Sequence, residues 1–206
     1  MKRLSAIICA FAAAFTAFAQ TPEEIISRME EAMNKNEKDG LVMTMDIKMP
    51  ILGTISTKSY ILGEKMRMVT GVQGAEVISW VDGETTWIYD TGKNEVEIKK
   101  INAQAPDSGS EAQMLSGITD GYNVSVKKET DKAWYILCKK SRTNKEKDDP
   151  KTMDLVVAKG TYYPISLSAK LSGVGMTLKD FSFGVTEKEV TFNKDDYPGV
   201  TVKDSR

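Results

Sequence analysis

Apolar and polar residues alternate most regularly in the middle of the chain. The segment EVISWVDGETTWIYDTGKNEVEIKKI, residues 76–101, contains three short runs in which apolar side chains recur at every second position. Asp82-Gly83 separates the first two runs, and Asp90-Thr91-Gly92 separates the last two. Asp-Gly between such runs is a strong hairpin signal, because the turn needs residues that tolerate positive φ. The pattern therefore predicts a β-meander at the centre of the fold.

The middle run of this meander carries two large aromatic side chains on one face. Because side chains alternate across a strand, Thr85, Trp87 and Tyr89 share one face and Thr86, Ile88 and Asp90 share the other. Two interpretations are open. The aromatic face packs in a core, which this stretch alone favours, or it forms the wall of an apolar cavity.

Helical spacing appears near the start of the chain. Thr21-Pro22-Glu23-Glu24 combines a capping hydroxyl, Pro at the first helical position and Glu at the third. The apolar residues that follow at helical spacing are Ile25, Ile26, Met29, Ala32 and Met33. We therefore predict one amphipathic helix over roughly residues 22–35.

Further alternating runs flank the meander. Ser110-Glu111-Ala112-Gln113 is a second capping box, and it predicts a short inserted helix with Met114, Leu115 and Ile118 as its apolar residues. In total we predict about ten strands in sequential meander order. This pattern is typical of an α+β, mostly β domain with a single strongly curved antiparallel sheet or open barrel.

The first 19 residues have the composition of an export signal. Lys2 and Arg3 precede an almost uninterrupted apolar run over residues 4–18, and Ala17-Phe18-Ala19 supplies the small residues of a cleavage site. We expect a signal peptide over residues 1–19, cleaved before Gln20, and one domain over residues 20–206. No later run approaches the roughly 20 apolar residues of a membrane span.

Composition restricts the chemistry. The chain has no histidine, which excludes Ser-His or Cys-His catalysis and most zinc sites. Removing Lys2 and Arg3 from the 28 basic residues leaves 26 against 29 acidic ones, a balance of −3, so no nucleic-acid partner is expected.

Cys138 is the only cysteine after the signal peptide, and we interpret it as a small core hydrophobe. The acidic pairs Asp148-Asp149 and Asp195-Asp196 adjoin turns and are interpreted as solvated charges. Carboxylate or lysine catalysis remains open, and an envelope hydrolase acting through Asp195 or Asp196 is the last-ranked alternative because no paired acid/base geometry is visible. We predict a protein that is not an enzyme and has no cofactor.

Three features together resemble the periplasmic outer-membrane lipoprotein carrier family, the LolA-like proteins. The first is the sequence VISWVDG, residues 77–83, followed by TTWIYD at 85–90. The second is the end of the chain, VTFN at 190–193 through PGVTV at 198–202. The third is the order of signal peptide, helix, meander, inserted helix and second meander.

The resemblance implies a half-barrel whose concave face is covered by the N-terminal and inserted helices, enclosing an apolar cavity. It implies a monomeric periplasmic carrier that accepts acylated lipoproteins from an inner-membrane ABC-type releasing complex and delivers them to an outer-membrane receptor or membrane. Each buried methylene contributes about 0.8 kcal/mol, so acyl chains need shielding during this transfer. An alternative is an envelope sensor or structural module that binds another lipid or a protein through the same half-barrel.

On this resemblance we assign candidate residues to the cavity and its lid. The wall candidates are Met43, Met45, Ile47, Met66, Met68, Trp87, Tyr89, Leu167 and Phe183. The lid candidates are Ile25, Met29, Met114, Leu115 and Ile118. Arg67 is the candidate for the family's lid-closing arginine, although the proline that follows that arginine in the family is missing here. The alternative interpretation makes Arg67 a surface charge.

Overall fold

A computed structural model describes residues 20–51, 53–72, 74–101 and 117–206. The predicted signal peptide lies outside the described residues. So do the capping box at 110–113 and the lid candidates Met114 and Leu115.

The described chain is dominated by twelve strands of one sheet. The helices are α1 (Pro22–Lys35) and α2 (Glu187–Val190), with single 3-10 turns at Glu37–Asp39 and Lys194–Asp196. The strands are β1 (Leu41–Met49), β2 (Gly53–Leu62), β3 (Lys65–Val72), β4 (Ala75–Val81), β5 (Thr85–Asp90), β6 (Glu95–Lys100), β7 (Tyr122–Glu129), β8 (Ala133–Lys140), β9 (Thr152–Ala158), β10 (Pro164–Leu171), β11 (Val174–Phe183) and β12 (Thr201–Asp204).

Helix α1 has the predicted bounds, and its capping box is formed. The backbone N–H of Glu24 donates to Thr21 Oγ1 at 3.2 Å, and the backbone N–H of Thr21 donates to Glu24 Oε2 at 3.2 Å. These two bonds satisfy N–H groups that the first turn of a helix leaves without an intrahelical acceptor. The local sequence was therefore sufficient to fix where α1 begins.

The strand order corrects the predicted sequential meander. The sheet runs β12-β6-β5-β4-β3-β2-β1-β11-β10-β9-β8-β7. It consists of two meanders, β1 to β6 and β7 to β11, and these join where β1 pairs antiparallel with β11. The number of strands is twelve instead of about ten, and β12 is an edge strand parallel to β6. The mostly β, single curved sheet predicted from the sequence is confirmed.

The register defines two faces of the sheet, here called the helix face and the tail face. Met66, Val81 and Thr86 are cross-strand neighbours on the helix face. The next residues along these strands, Arg67, Trp80 and Trp87, are neighbours on the tail face. The names refer to what covers each face: α1 covers the helix face, and the tail, residues 184–200, crosses the tail face.

The main core lies between α1 and the helix face. Ile25, Met29 and Met33 of α1 are fully buried. Their partners come from both meanders, which is how α1 holds the two halves of the sheet together. The buried sheet residues of this cluster are Leu41, Met43, Ile61, Trp134, Ile136, Cys138, Met153, Leu155, Val157 and Leu167.

The tail runs from the middle of the sheet to its β6 edge. It starts where the N–H groups of Gly184 and Val185 both donate to the carbonyl of Asp39, at 2.9 and 2.8 Å. Helix α2 then packs over β2 and β3. The chain continues through Phe192 and Tyr197 and ends in β12, which pairs with β6. The tail thereby covers the face of the first meander that α1 does not cover.

Candidate functional site

The nine predicted wall residues do not share one face of the sheet. Seven of them lie on the helix face, and these are Met43, Met45, Ile47, Met66, Met68, Leu167 and Phe183. Trp87 pairs with Trp80, and Tyr89 pairs with Ile78, on the tail face. The prediction that Trp87 and Tyr89 belong to the same wall as the methionines is therefore corrected. The reason is strand parity, since Met66 and Met68 pair with the residues that alternate with Trp80 and Ile78.

Trp87 and Tyr89 belong to a cluster of rings that anchors the tail. The Phe192 ring centre lies 5.3 Å from that of Trp80 and 6.0 Å from that of Trp87. The Tyr197 ring centre lies 4.8 Å from that of Tyr89, 5.6 Å from that of Trp80 and 5.9 Å from that of Phe192. Such edge-on and stacked pairs contribute about 0.5–1.5 kcal/mol each beyond burial. The core interpretation of the aromatic face is the one that the structure supports.

Arg67 also lies on the tail face. Its guanidinium carbon is 5.3 Å from the centre of the Tyr60 ring and 5.7 Å from that of Trp80. Its Nε is buried without a hydrogen-bond partner among the described residues, and its guanidinium lies at cation–π distance from both rings. Arg67 therefore lies on the face of the sheet opposite α1.

The lid candidates within the described residues fall into two groups. Ile25 and Met29 are fully buried in the core against the sheet. Ile118 is half-buried in a turn over residues 117–120 and packs against the edge of the same core. The N–H of Gly117 donates to Glu30 Oε1 of α1 at 3.1 Å, which links this turn to the helix.

An apolar cavity of about 350 Å³ opens on the helix face beside this turn. Its floor is formed by β9, β10 and β11, and the turn closes one side. The lining residues are Gly117, Ile118, Asp120, Tyr122, Asp149, Pro150, Met153, Leu167, Ala169, Met176 and Leu178. Two further wall candidates adjoin this floor, because Met45 is paired with Leu178 and Ile47 with Met176.

The polar side chains of the cavity lining are those of Asp120, Tyr122 and Asp149. Tyr122 donates its hydroxyl to the Pro150 carbonyl at 3.0 Å. Burial raises the pKa of Tyr122, and the nearby charge of Asp149 raises it further. Tyr122 is therefore a neutral hydrogen-bond donor at neutral pH. The other side chains of the lining offer hydrocarbon and thioether surface, which suits an apolar guest.

Several lining residues were missing from the predicted wall, namely Met153, Ala169, Met176 and Leu178. Their alternation along the strands was visible in the sequence. Placing them beside Met45 and Ile47 required the pairing of β1 with β11, which joins residues more than 120 positions apart. Only the register of that pairing identifies this part of the helix face.

Cys138 has the environment predicted for a core residue. It is fully buried on β8, and burial raises the pKa of its thiol to about 11. A thiol with so high a pKa is a poor nucleophile at neutral pH, because the thiolate is the reactive form.

Comparisons with known proteins concern the fold. No protein-family model matches the sequence, and no curated protein is similar to it. Lipoprotein LppX of Mycobacterium tuberculosis is 10% identical, with a TM-score of 0.49, and the match covers 80% of this chain and 97% of that one. A LolA superfamily protein of Nitrosomonas europaea is 10% identical, with a TM-score of 0.36, and the match covers 86% and 100%.

A third similar structure is a chain of the Pseudomonas aeruginosa MucA/MucB complex. It is 14% identical, with a TM-score of 0.45, and the match covers 84% of this chain and 61% of that one. Within the described ranges, no helix is long and apolar enough to cross a membrane.

Proposed function

We propose that this protein is an exported, non-enzymatic carrier that shields acyl chains of lipoproteins in the cavity on the helix face. In this proposal it takes them up at the inner membrane from an ABC-type releasing complex and delivers them to an outer-membrane receptor or to the membrane itself. The observation that carries the proposal is the apolar cavity floored by Met153, Leu167, Met176 and Leu178.

The size of the cavity is consistent with reversible binding. Small-molecule sites typically enclose about 300–1,000 Å³, so 350 Å³ is at the lower end. Each methylene that enters contributes about 0.8 kcal/mol. Burying only part of a long acyl chain therefore gives a favourable binding free energy. Burying every methylene of the chain would make the complex too stable to release it. Methionine supports this behaviour, since its flexible thioether adapts to guests of different shape.

The experiment measures binding of a fluorescent acyl probe to the purified protein, with native mass spectrometry to detect co-purified lipid. Ala169→Phe places a ring in the cavity, and we expect it to lower probe affinity about tenfold or more. Ser168→Phe is the matched control, because Ser168 lies next along β10 on the opposite face of the sheet. Absence of probe binding to the wild type, or equal affinity of the Ala169→Phe variant, would contradict the proposal.

A cellular assay separates the carrier from the alternative function. Depletion of a carrier should leave lipoproteins at the inner membrane, where fractionation detects them. Wild-type probe binding together with normal lipoprotein sorting after depletion would instead favour an envelope sensor or structural module.

A further inference from the structure

Exposed apolar side chains are concentrated at one end of the sheet. Ile51, at the turn between β1 and β2, is 94% exposed, and Leu171 and Met176, on either side of the turn between β10 and β11, are 43% and 42% exposed. We call this end the apolar rim. It comprises Met49, Pro50, Ile51, Val72, Leu171, Val174 and Met176.

The register places these turns side by side. Lys48 pairs with Thr54 across the β1–β2 hairpin and with Gly175 of β11 on its other side. Gly175 in turn pairs with Lys170 of β10. The turn between β3 and β4, next to Val72, lies at the same end because β2 and β3 are antiparallel.

The opposite end of the sheet has ordinary polar turns. These are Gly63-Glu64 between β2 and β3, Asp82-Gly83-Glu84 between β4 and β5, and Asp131-Lys132 between β7 and β8. Turn positions are solvated, and an apolar residue there contributes nothing to the core. The apolar residues of the rim are Pro50 and Ile51 in the β1–β2 turn and the strand ends beside the other two turns, whereas the outer turns at this end, between β5 and β6 and between β8 and β9, are polar. A continuous group of exposed apolar side chains between polar turns indicates a surface that meets an apolar partner.

The charges beside the rim indicate which partner this is. Lys48 and Lys170 flank Gly175 on the tail face, and neither is in an ion pair with another described residue. The two hairpin tips, residues 48–54 and 170–176, contain no Asp or Glu. Asp46 and Asp154 line the same groove as these two lysines, but each is paired with another lysine, Lys179 and Lys127. Apolar side chains that project beyond two unpaired lysines match the two layers of a bilayer surface, hydrocarbon below anionic headgroups.

The rim is continuous with the cavity. Met176 contributes to both, and Ala169 lines the cavity beside it. A molecule that rests on its rim therefore turns the cavity entrance towards the surface that it contacts.

From this arrangement we propose that the apolar rim docks directly on a bilayer that contains anionic phospholipid, with Ile51 and Leu171 inserted and Lys48 and Lys170 at the headgroups. The inference rests on the proposed function for the identity of the cargo, whereas docking itself depends on the rim alone.

Vesicle flotation tests this proposal with the full mature chain. The vesicles consist of phosphatidylcholine alone or of phosphatidylcholine with phosphatidylglycerol. We expect the wild type to float with the anionic vesicles and the double variant Ile51→Ser, Leu171→Ser to bind at least about tenfold more weakly. We expect Lys48→Gln, Lys170→Gln to lose about tenfold in affinity, and added salt to reproduce that loss.

Ile165→Ser is the matched control. Ile165 is 46% exposed, but it lies at the other end of β10, about 20 Å from Leu171 at roughly 3.3 Å per residue. We expect this variant to float as the wild type does. Failure of the wild type to float, which is the result expected if the rim binds a protein instead, would overturn the proposal. Equal loss in Ile165→Ser, or no loss in the rim variants, would also overturn it.

Acyl-probe binding, measured in parallel, keeps the two proposals apart. The rim variants should retain probe affinity, and Ala169→Phe should retain flotation. Loss of flotation alone in the rim variants supports docking whatever the outcome for the cavity.

Discussion

Replacing Phe192 by alanine tests whether the aromatic cluster is structural or part of a binding site. Phe192 is the tail residue that contacts both Trp80 and Trp87, at ring distances of 5.3 and 6.0 Å. It also stacks on Tyr197, with an angle of 7° between the rings. Phe192→Ala removes all three contacts and leaves a gap between the tail and the tail face.

The expected loss of stability follows from burial and ring contacts. Truncation of a fully buried Phe costs about 3–5 kcal/mol, and Phe192 is half-buried. We therefore expect the free energy of unfolding to fall by about 2–4 kcal/mol. Phe192→Leu keeps most of the apolar area and loses only the ring-specific part, for which about 0.5–1.5 kcal/mol is expected.

Urea unfolding followed by circular dichroism measures both variants, and the acyl probe is titrated into each folded protein. Both variants should bind the probe as the wild type does, because Phe192 and its partners lie on the face opposite the cavity. A large loss of probe affinity without loss of stability would refute this reasoning and restore Trp87 and Tyr89 to the cavity wall. A change below about 1 kcal/mol for Phe192→Ala would show that the tail is not anchored by its rings.

Two further predictions concern the backbone and the buried thiol. Gly40 has φ +68°, and a Cβ there would lie 2.5 Å from the Ile61 carbonyl oxygen, whereas Gly63 has φ +59° with open space around it. Thermal unfolding should therefore show a loss of at least about 3 kcal/mol for Gly40→Ala and only about 1 kcal/mol for Gly63→Ala. Burial raises the pKa of Cys138 to about 11, above its unfolded value near 8.5. The contribution of the neutral thiol to the free energy of unfolding is therefore complete below about pH 8.5 and is lost as the pH rises towards 11. Urea midpoints should fall over that window, with a smaller slope in Cys138→Ala; an unchanged slope would contradict the assignment.

Local signals in the sequence were sufficient for the elements that local chemistry determines. The capping box at Thr21 fixed the start of α1, and Asp82-Gly83 fixed the turn between β4 and β5. In that turn, Asp82 Oδ1 accepts hydrogen bonds from the N–H groups of Glu84 and Thr85, at 3.0 and 2.8 Å. Such contacts span only a few residues, so a single sequence contains all of the information needed to predict them.

The assignment of residues to a common site needed long-range pairing instead. Alternation showed that Trp87 and Tyr89 share a face, but it could not show that this face is covered by the tail while α1 covers the other. The same limit applied to the cavity, whose floor depends on the pairing of β1 with β11. A one-residue change of register would exchange the two faces, and no local pattern in the sequence fixes that register.

In the proposed carrier function, the burial of α1 limits the routes by which a guest could reach the cavity. Lifting the helix from the sheet would expose Ile25, Ile26, Met29 and Met33, each of which contributes about 1.5–3 kcal/mol when buried. The resulting cost of about 6–12 kcal/mol is comparable with the whole stability of a typical domain, 5–15 kcal/mol. A movable lid built on α1 would thus be nearly as costly as unfolding. Two other side chains also line the cavity, the half-buried Ile118 and the exposed Met176. Moving them aside would expose far less apolar surface than lifting α1. For the proposed carrier, entry between the turn at residues 117–120 and the apolar rim is therefore the route that the energetics favour, with α1 as a fixed support for the cavity.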